Sequence, residues 1–152
     1  MKTLYIMMGI QGSGKSTFCS RFLPDVTRIN LDTLKTRNRE RIAIAECQAK
    51  GIDYVVDNTN PTKLDRARYI PSAIELGYRV VGYFMQSRVR DCIERNARRE
   101  GKARVPDIAI AGTKKRLEPP DMDEGFDELY FVANDGKEMK ISEWRGNPNE
   151  IF

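Results

Sequence analysis

Nine consecutive residues, Gly9-Ile10-Gln11-Gly12-Ser13-Gly14-Lys15-Ser16-Thr17, combine glycines, a lysine and hydroxyls at a spacing suited to one kind of chemistry. The pattern is glycine, four residues, then Gly-Lys-Ser, and it lies between a short apolar run over 4–8 and a helix-prone segment. Glycines allow positive φ, so that successive N–H groups can converge on one anion. A helix starting near Lys15 adds its unpaired first-turn N–H groups and the positive end of its dipole. In that arrangement Lys15 reaches the β- and γ-phosphates of a nucleoside triphosphate, and the Ser16 hydroxyl is placed to ligate Mg²⁺. The stretch reads as a phosphate-binding loop, with Gly9, Gln11, Gly12, Ser13, Gly14, Lys15, Ser16 and Thr17 as the nucleotide site.

The chain has no histidine, so a histidine base, a Ser-His-Asp triad and a histidine metal ligand are all excluded. Any general base must be a carboxylate. Asp32 is the strongest candidate, because a carboxylate facing the γ-phosphate can accept a hydroxyl proton during in-line attack. Aspartate also suits an N-cap, and spacing alone leaves both roles open for Asp32. Asp57, followed by Asn58-Thr59-Asn60-Pro61, can hold Mg²⁺ directly or through water, or can simply form a turn with its neighbours. Arg95 and Arg99, four apart and on one helix face, can close over a nucleotide, or can belong to a solvated basic face.

The elements that must position these residues follow from the alternation of strand-like and helix-like runs, the signature of an α/β fold with a mostly parallel sheet. Strands are expected over 2–8, 26–30, 52–56, 78–85 and 128–133. Helices are expected over 15–22, 33–50, 62–76, 88–99 and 107–117. In the second of these Ile42, Ile44, Ala45 and Ala49 suggest a buried face, and in the third Leu64, Ala67, Ile70, Ala73 and Ile74 do so, with Pro71 expected to kink or break it. Asn134-Asp135-Gly136-Lys137 has turn chemistry that can fold the tail back as a hairpin. Placed on this frame, the loop follows strand one, Asp32 follows strand two and Asp57 follows strand three, all at the carboxyl ends where ligands of such sheets collect.

At 152 residues the chain suits a single domain, 1–152, with one core. It lacks a long apolar run, so no membrane segment is expected and a cytoplasmic location is. Cys19, Cys47 and Cys92 are odd in number and widely spaced, which argues against a disulfide framework or a zinc site. The net charge of +4 is concentrated. Residues 88–104 hold seven basic against three acidic residues, and 28–41 hold Arg28, Lys35, Arg37, Arg39 and Arg41 against Asp32 and Glu40. By contrast 118–128 holds six acids and no base. Two basic stretches favour polyanionic partners, ATP or nucleic acid.

Taken together, the loop, Ile29-Asn30-Leu31-Asp32-Thr33-Leu34, Asp57-Asn58-Thr59-Asn60-Pro61 and Arg95-Asn96-Ala97-Arg98-Arg99-Glu100-Gly101 through Val105-Pro106 resemble the 5′-hydroxyl polynucleotide kinase family. Lys115-Arg116-Leu117-Glu118-Pro119-Pro120 and Glu124-Gly125-Phe126 are most similar to its eukaryotic-type branch. The resemblance implies a P-loop kinase fold, a three-layer sandwich with the loop-bearing strand in mid-sheet and a helical basic lid over about 88–106. It also implies ATP- and Mg²⁺-dependent phosphoryl transfer to the 5′-hydroxyl of DNA or RNA, and through that a link to nucleic acid end repair. Carried over by position, Lys15 and Ser16 hold phosphate and Mg²⁺, Asp32 is the base, and Arg99, with Arg95 beside it, is the lid arginine. From their places after strands two and three, Asp57 is the expected second metal ligand, and Asp32, Lys35, Asp57, Thr59 and Asn60 are the expected acceptor side. Where several members have an arginine three residues after the base, this chain has Lys35, which keeps the charge and loses the bidentate fork. Two rival readings are a kinase of the same architecture acting on a nucleoside, sugar nucleotide or antibiotic, and a non-catalytic ATP-binding switch.

Overall fold

The first apolar run forms β1 (Thr3–Met8), buried at five of its six positions. Such a strand must be covered on both faces, as central strands of parallel sheets are. In the computed structural model, which describes residues 1–146, it lies in a six-stranded sheet of order β2-β3-β1-β4-β5-β6. The other strands are β2 (Thr27–Ile29), β3 (Tyr54–Val56), β4 (Arg79–Met85), β5 (Glu128–Asn134) and β6 (Met139–Glu143). All pairings are parallel except β5–β6, the hairpin expected from the Asn-Asp-Gly-Lys turn. Ile6 is opposite Val56 on one side and Gly82 on the other, so β1 sits where the chain order reverses.

Helices cover both faces and make this a three-layer α/β sandwich: α1 (Lys15–Phe22), α2 (Leu31–Leu34), α3 (Arg37–Lys50), α4 (Lys63–Arg66), α5 (Ile70–Glu75), α6 (Val89–Ala97) and α7 (Asp107–Arg116). Alternation along the strands divides the core. Leu4, Ile6, Met8, Val56 and Phe84 face α3 and α5, while Met7, Val55, Met85 and Val132 face Phe18 of α1. A small third cluster, Ile10, Cys92 and Ile110, joins the loop to α6 and α7.

Two expected helices are divided. The one over 33–50 becomes α2 and α3, separated at Lys35, whose φ of 78° ends the first, and Thr36, whose hydroxyl accepts from Arg39 N to cap the second. The buried face of α3 is Glu40, Ala43, Ile44 and Cys47, and Ile42, Ala45 and Ala49 face solvent instead. The helix over 62–76 becomes α4 and α5, and Pro71 lies in the first turn of α5, where its missing N–H has no partner to lose. Leu64, Ala67 and Ile74 are exposed, contrary to the expected stripe, whereas Ile70 and Ala73 are buried.

The acidic stretch is an anchor for the sheet and its crossover. Asp127 accepts from Val80 N, Glu118 from Lys63 N, and Glu124 makes a two-pronged pair with fully buried Arg66 at 2.7 and 3.0 Å. Arg66 also donates to Asn60 O, which fixes the turn after β3.

Candidate active site

Met8 delivers the chain into the loop, and two glycines there have conformations that other residues resist. Gly12 has φ 81° and Gly14 has φ 99°, and a Cβ on Gly12 would stand 2.5 Å from the Cys92 carbonyl of α6. Gly14 leads directly into α1, leaving Lys15 in its first turn. The Lys15 ammonium folds back to donate to the carbonyls of Gly9 (2.9 Å) and Ile10 (3.0 Å). Burial pushes its pKa down to about 8, against the upward pull of Asp57. Among the described residues, the buried polar side-chain atoms without a hydrogen-bond partner are Gln11 Oε1 and Ser13 Oγ, both in this loop. The Ser13 hydroxyl can donate to an anion beside the desolvated ammonium, whereas the Gln11 oxygen, an acceptor, calls for a donor.

Asp57, at the end of β3, points across to α1. Its buried carboxylate stands 3.2 Å from Ser16 Oγ and accepts from Arg28 Nε at 2.6 Å, while Arg28 Nη2 donates to Ser16 Oγ at 2.9 Å. Asp57 therefore directs its side chain at the loop and does not close a turn with its neighbours. A hydroxyl and a carboxylate at this separation are the hard oxygen donors that Mg²⁺ takes, usually alongside phosphate oxygens and water.

The opposite wall begins at α2. Asn30 is its N-cap: its Oδ1 accepts from Thr33 N, and its Nδ2 donates to Asp57 O at 2.6 Å. Asp32 is thus not the cap, and its exposed carboxylate lines the same cleft as Lys15 and Ser16, a cleft of about 1130 Å³. Lys35 lines it too, from a positive-φ position where a non-glycine residue is strained. Thr59 reaches the cleft and its carbonyl accepts from Gly9 N at 3.0 Å, tying the β3 turn to the loop. Asn60, with φ 43°, gives its amide to Met7 O at 2.8 Å and is buried, so its side chain fastens β1 to the turn.

Arg99 lines the cleft from beyond the end of α6, where it is exposed and its Nη1 lies 3.4 Å from Ala103 O. Arg95 lies elsewhere: it donates to Gly12 O (3.2 Å) and Asn134 O (2.8 Å), so it clamps the loop to the end of β5. Cys92 and Asn96 are buried, which anchors α6 and leaves the segment after it as the open part of the basic region. The structure brings together in this cleft Gln11, Gly12, Lys15, Ser16 and Thr17 with Asp32, Lys35, Asp57 and Arg99. Gly9, Ser13 and Gly14 shape the loop from behind.

Four residues were not singled out as site residues in the sequence. Arg28 and Arg116 line the cleft, and so does Arg37, which is held by Glu40 Oε1 (3.0 Å) and Tyr69 OH (2.8 Å). Asn58 donates to the other Glu40 oxygen at 2.9 Å and accepts from Leu31 N. The available signal was the basic stretch over 28–41, which holds Arg28 and Arg37 together with Glu40.

Comparison with known proteins agrees with the fold. A family model described as "AAA domain" matches residues 4–120. The chain is 30% identical over 134 residues to the bifunctional polynucleotide phosphatase/kinase of Schizosaccharomyces pombe, covering 85% of this chain and 33% of that protein. It is also 30% identical over 140 residues to a putative bifunctional polynucleotide phosphatase/kinase of Acanthamoeba polyphaga mimivirus, covering 87% and 33%. The chain thus spans about a third of the length of the curated relatives it matches. Among solved structures it is similar to Chaetomium thermophilum Kti12 in complex with ADP-AlF3, with a TM-score of 0.63 and 18% identity over 87% of this chain and 89% of that one. That likeness is one of fold. No helix among the described residues is long and apolar enough to cross a membrane.

Proposed function

The chain belongs to the AAA domain family, matched over residues 4–120, and from that premise we propose that it transfers the γ-phosphate of ATP to the 5′-hydroxyl end of DNA or RNA. The observation that carries the reading is the single cleft in which a triphosphate cradle, Lys15 and Ser16, faces a free carboxylate, Asp32, with cations on both sides. The relatives named polynucleotide phosphatase/kinase supply the acceptor class.

In this reading the loop amides and Lys15 hold the β- and γ-phosphates, and Ser16 with Asp57 holds Mg²⁺. When bound with ATP, the metal would supply charge neutralisation at the phosphate oxygens. Asp32 accepts the proton of the acceptor hydroxyl as its oxygen attacks phosphorus in line with the departing ADP. Its place on a one-turn helix, capped by Asn30 and tied to β3, fixes that carboxylate relative to the loop. Arg99 adds charge on the donor phosphates from the open segment, and Lys35 and Arg37 face the acceptor's backbone phosphate. The work of the site is positioning and charge stabilisation.

The test offers γ-labelled ATP and Mg²⁺ with 5′-hydroxyl DNA, 5′-hydroxyl RNA and a nucleoside 3′-phosphate. Label on a 5′ end is expected, with Asp32→Asn retaining ATP binding and losing at least about a hundredfold in turnover. Label on none of these acceptors, or full activity in Asp32→Asn, would overturn the reading.

A further inference from the structure

Arg28 occupies a place that a second cation must also want. Its guanidinium touches both oxygens assigned to the metal, Asp57 Oδ2 at 2.6 Å and Ser16 Oγ at 2.9 Å, and those two oxygens are 3.2 Å apart. The three groups close a triangle across β2, β3 and α1. The Asp57 side chain is 1% exposed and that of Arg28 40%. A carboxylate so enclosed is costly to leave without a counter-charge, whereas the arginine has solvent and the open cleft beside it to move into. Mg²⁺ coordinates oxygen at about 2.1 Å in a near-octahedral shell, and a guanidinium hydrogen-bonded to the same oxygens leaves no room for that shell. Two positive groups at this separation also repel.

We propose that Arg28 is the resident counter-cation of the metal site. It holds Asp57 and Ser16 in ligating positions while the site is free of metal, and a divalent cation enters by displacing it into the cleft. The inference rests on the reading of Ser16 and Asp57 as metal ligands and is independent of which acceptor the enzyme uses. Arg28 is then a positioning residue with two opposed effects: it keeps the empty site assembled, and it weakens metal binding by the fraction of time it is in place. Metal loading becomes an exchange of one cation for another, so that the buried carboxylate is never left bare.

The test is Mn²⁺ binding without nucleotide, read from the electron paramagnetic resonance signal of the free ion, for the wild type, Arg28→Met, Arg28→Lys and Asp57→Asn. If the paired form dominates about ten to one, Arg28→Met tightens Mn²⁺ binding on the order of tenfold, and Arg28→Lys falls between it and the wild type. Melting curves establish that each variant is folded. In the wild type, the Arg28 Nε–H resonance, assigned by its loss in Arg28→Lys, is expected to shift and lose its protection from exchange as Mg²⁺ is added. Unchanged or weaker Mn²⁺ binding in folded Arg28→Met, or an Arg28 resonance unmoved at saturating Mg²⁺, overturns the proposal. The wild-type resonance decides the matter even if Arg28→Met does not fold. Asp57→Asn separates the premise from the inference. If it binds Mn²⁺ as the wild type does, the metal-ligand reading fails and takes the proposal with it; if it loses binding while Arg28→Met changes nothing, displacement alone fails.

Discussion

Lys15 links nucleotide binding to pH. Burial sets its pKa at about 8 in the ligand-free protein, well below the ordinary 10.5. At pH 8.5 the side chain is then about one quarter protonated. A triphosphate against the amine favours the charged form, so binding returns the pKa toward its ordinary value and takes up about three quarters of a proton at that pH. Affinity is flat with respect to this group below pH 8 and falls as pH rises above it, approaching a tenfold loss per unit up to about 10.5. For the ligand-free protein the sign is the reverse: between 8 and 10.5 the unfolded chain binds more protons, so this group makes the fold more stable as pH rises through that window. The assay is titration calorimetry of ATP at pH 8.5 in two buffers of different ionisation enthalpy, which gives proton uptake directly. Lys15→Arg keeps a permanent charge and is expected to bind ATP without uptake. No uptake in the wild type, or equal uptake in Lys15→Arg, would refute the reasoning.

Three further outcomes are expected. Arg99→Ala should lower turnover by about a hundredfold with the fold preserved, since it removes charge from the transferring phosphoryl group; steady-state kinetics beside circular dichroism checks this, and an unchanged turnover number would make the open basic segment a solvated face. Glu124→Gln removes the partner of fully buried Arg66 and should cost about 3–5 kcal/mol in urea unfolding, so a loss below about 1 kcal/mol would show the pair to be dispensable. Gly12→Ala forces a Cβ to within 2.5 Å of the Cys92 carbonyl at a φ of 81°, and should destabilise the loop by about 1–3 kcal/mol and abolish ATP binding, both measurable in one thermal-shift titration.

The phosphate-loop wall of the cleft was legible because its residues are contiguous. Gly12, Gly14, Lys15 and Ser16 lie within one strand-loop-helix unit, and the observed α1 matches the expected helix at both ends. The opposite wall of the cleft is assembled from segments far apart in sequence. Arg37, Glu40, Asn58 and Tyr69 meet only because α3, the β3 turn and the start of α5 pack together. Apolar periodicity also misled there. The buried face of α3 has Glu40 at its first position and Cys47 seven residues on, so a polar residue stands where the pattern asks for a hydrophobe. Counting Ile42 and Ile44 together therefore chose a face shifted by part of a turn. The break before α3 was marked by Thr36, a cap residue obscured by its basic neighbours.

Glu40 explains why that polar residue belongs in the core. Its oxygens accept from Arg37, Asn58 and Tyr69 at 2.9–3.0 Å, so its charge is fully partnered although it is 2% exposed. Burial, with the Glu40 charge beside it, raises the Tyr69 phenol above its ordinary pKa and keeps it a donor. Through Asn58 and Leu31 N the same network reaches the helix that bears Asp32, and through Asn30 it reaches Asp57. Arg37, the helix that bears Asp32 and the backbone of Asp57 are thereby braced by one set of hydrogen bonds. Phosphoryl transfer gains chiefly from holding nucleophile, phosphorus and charge in register. A wall braced in this way adds polar register to the apolar packing of Ile29, Leu34, Ile44 and Tyr69 beneath it, which is why its residues are polar and scattered along the chain.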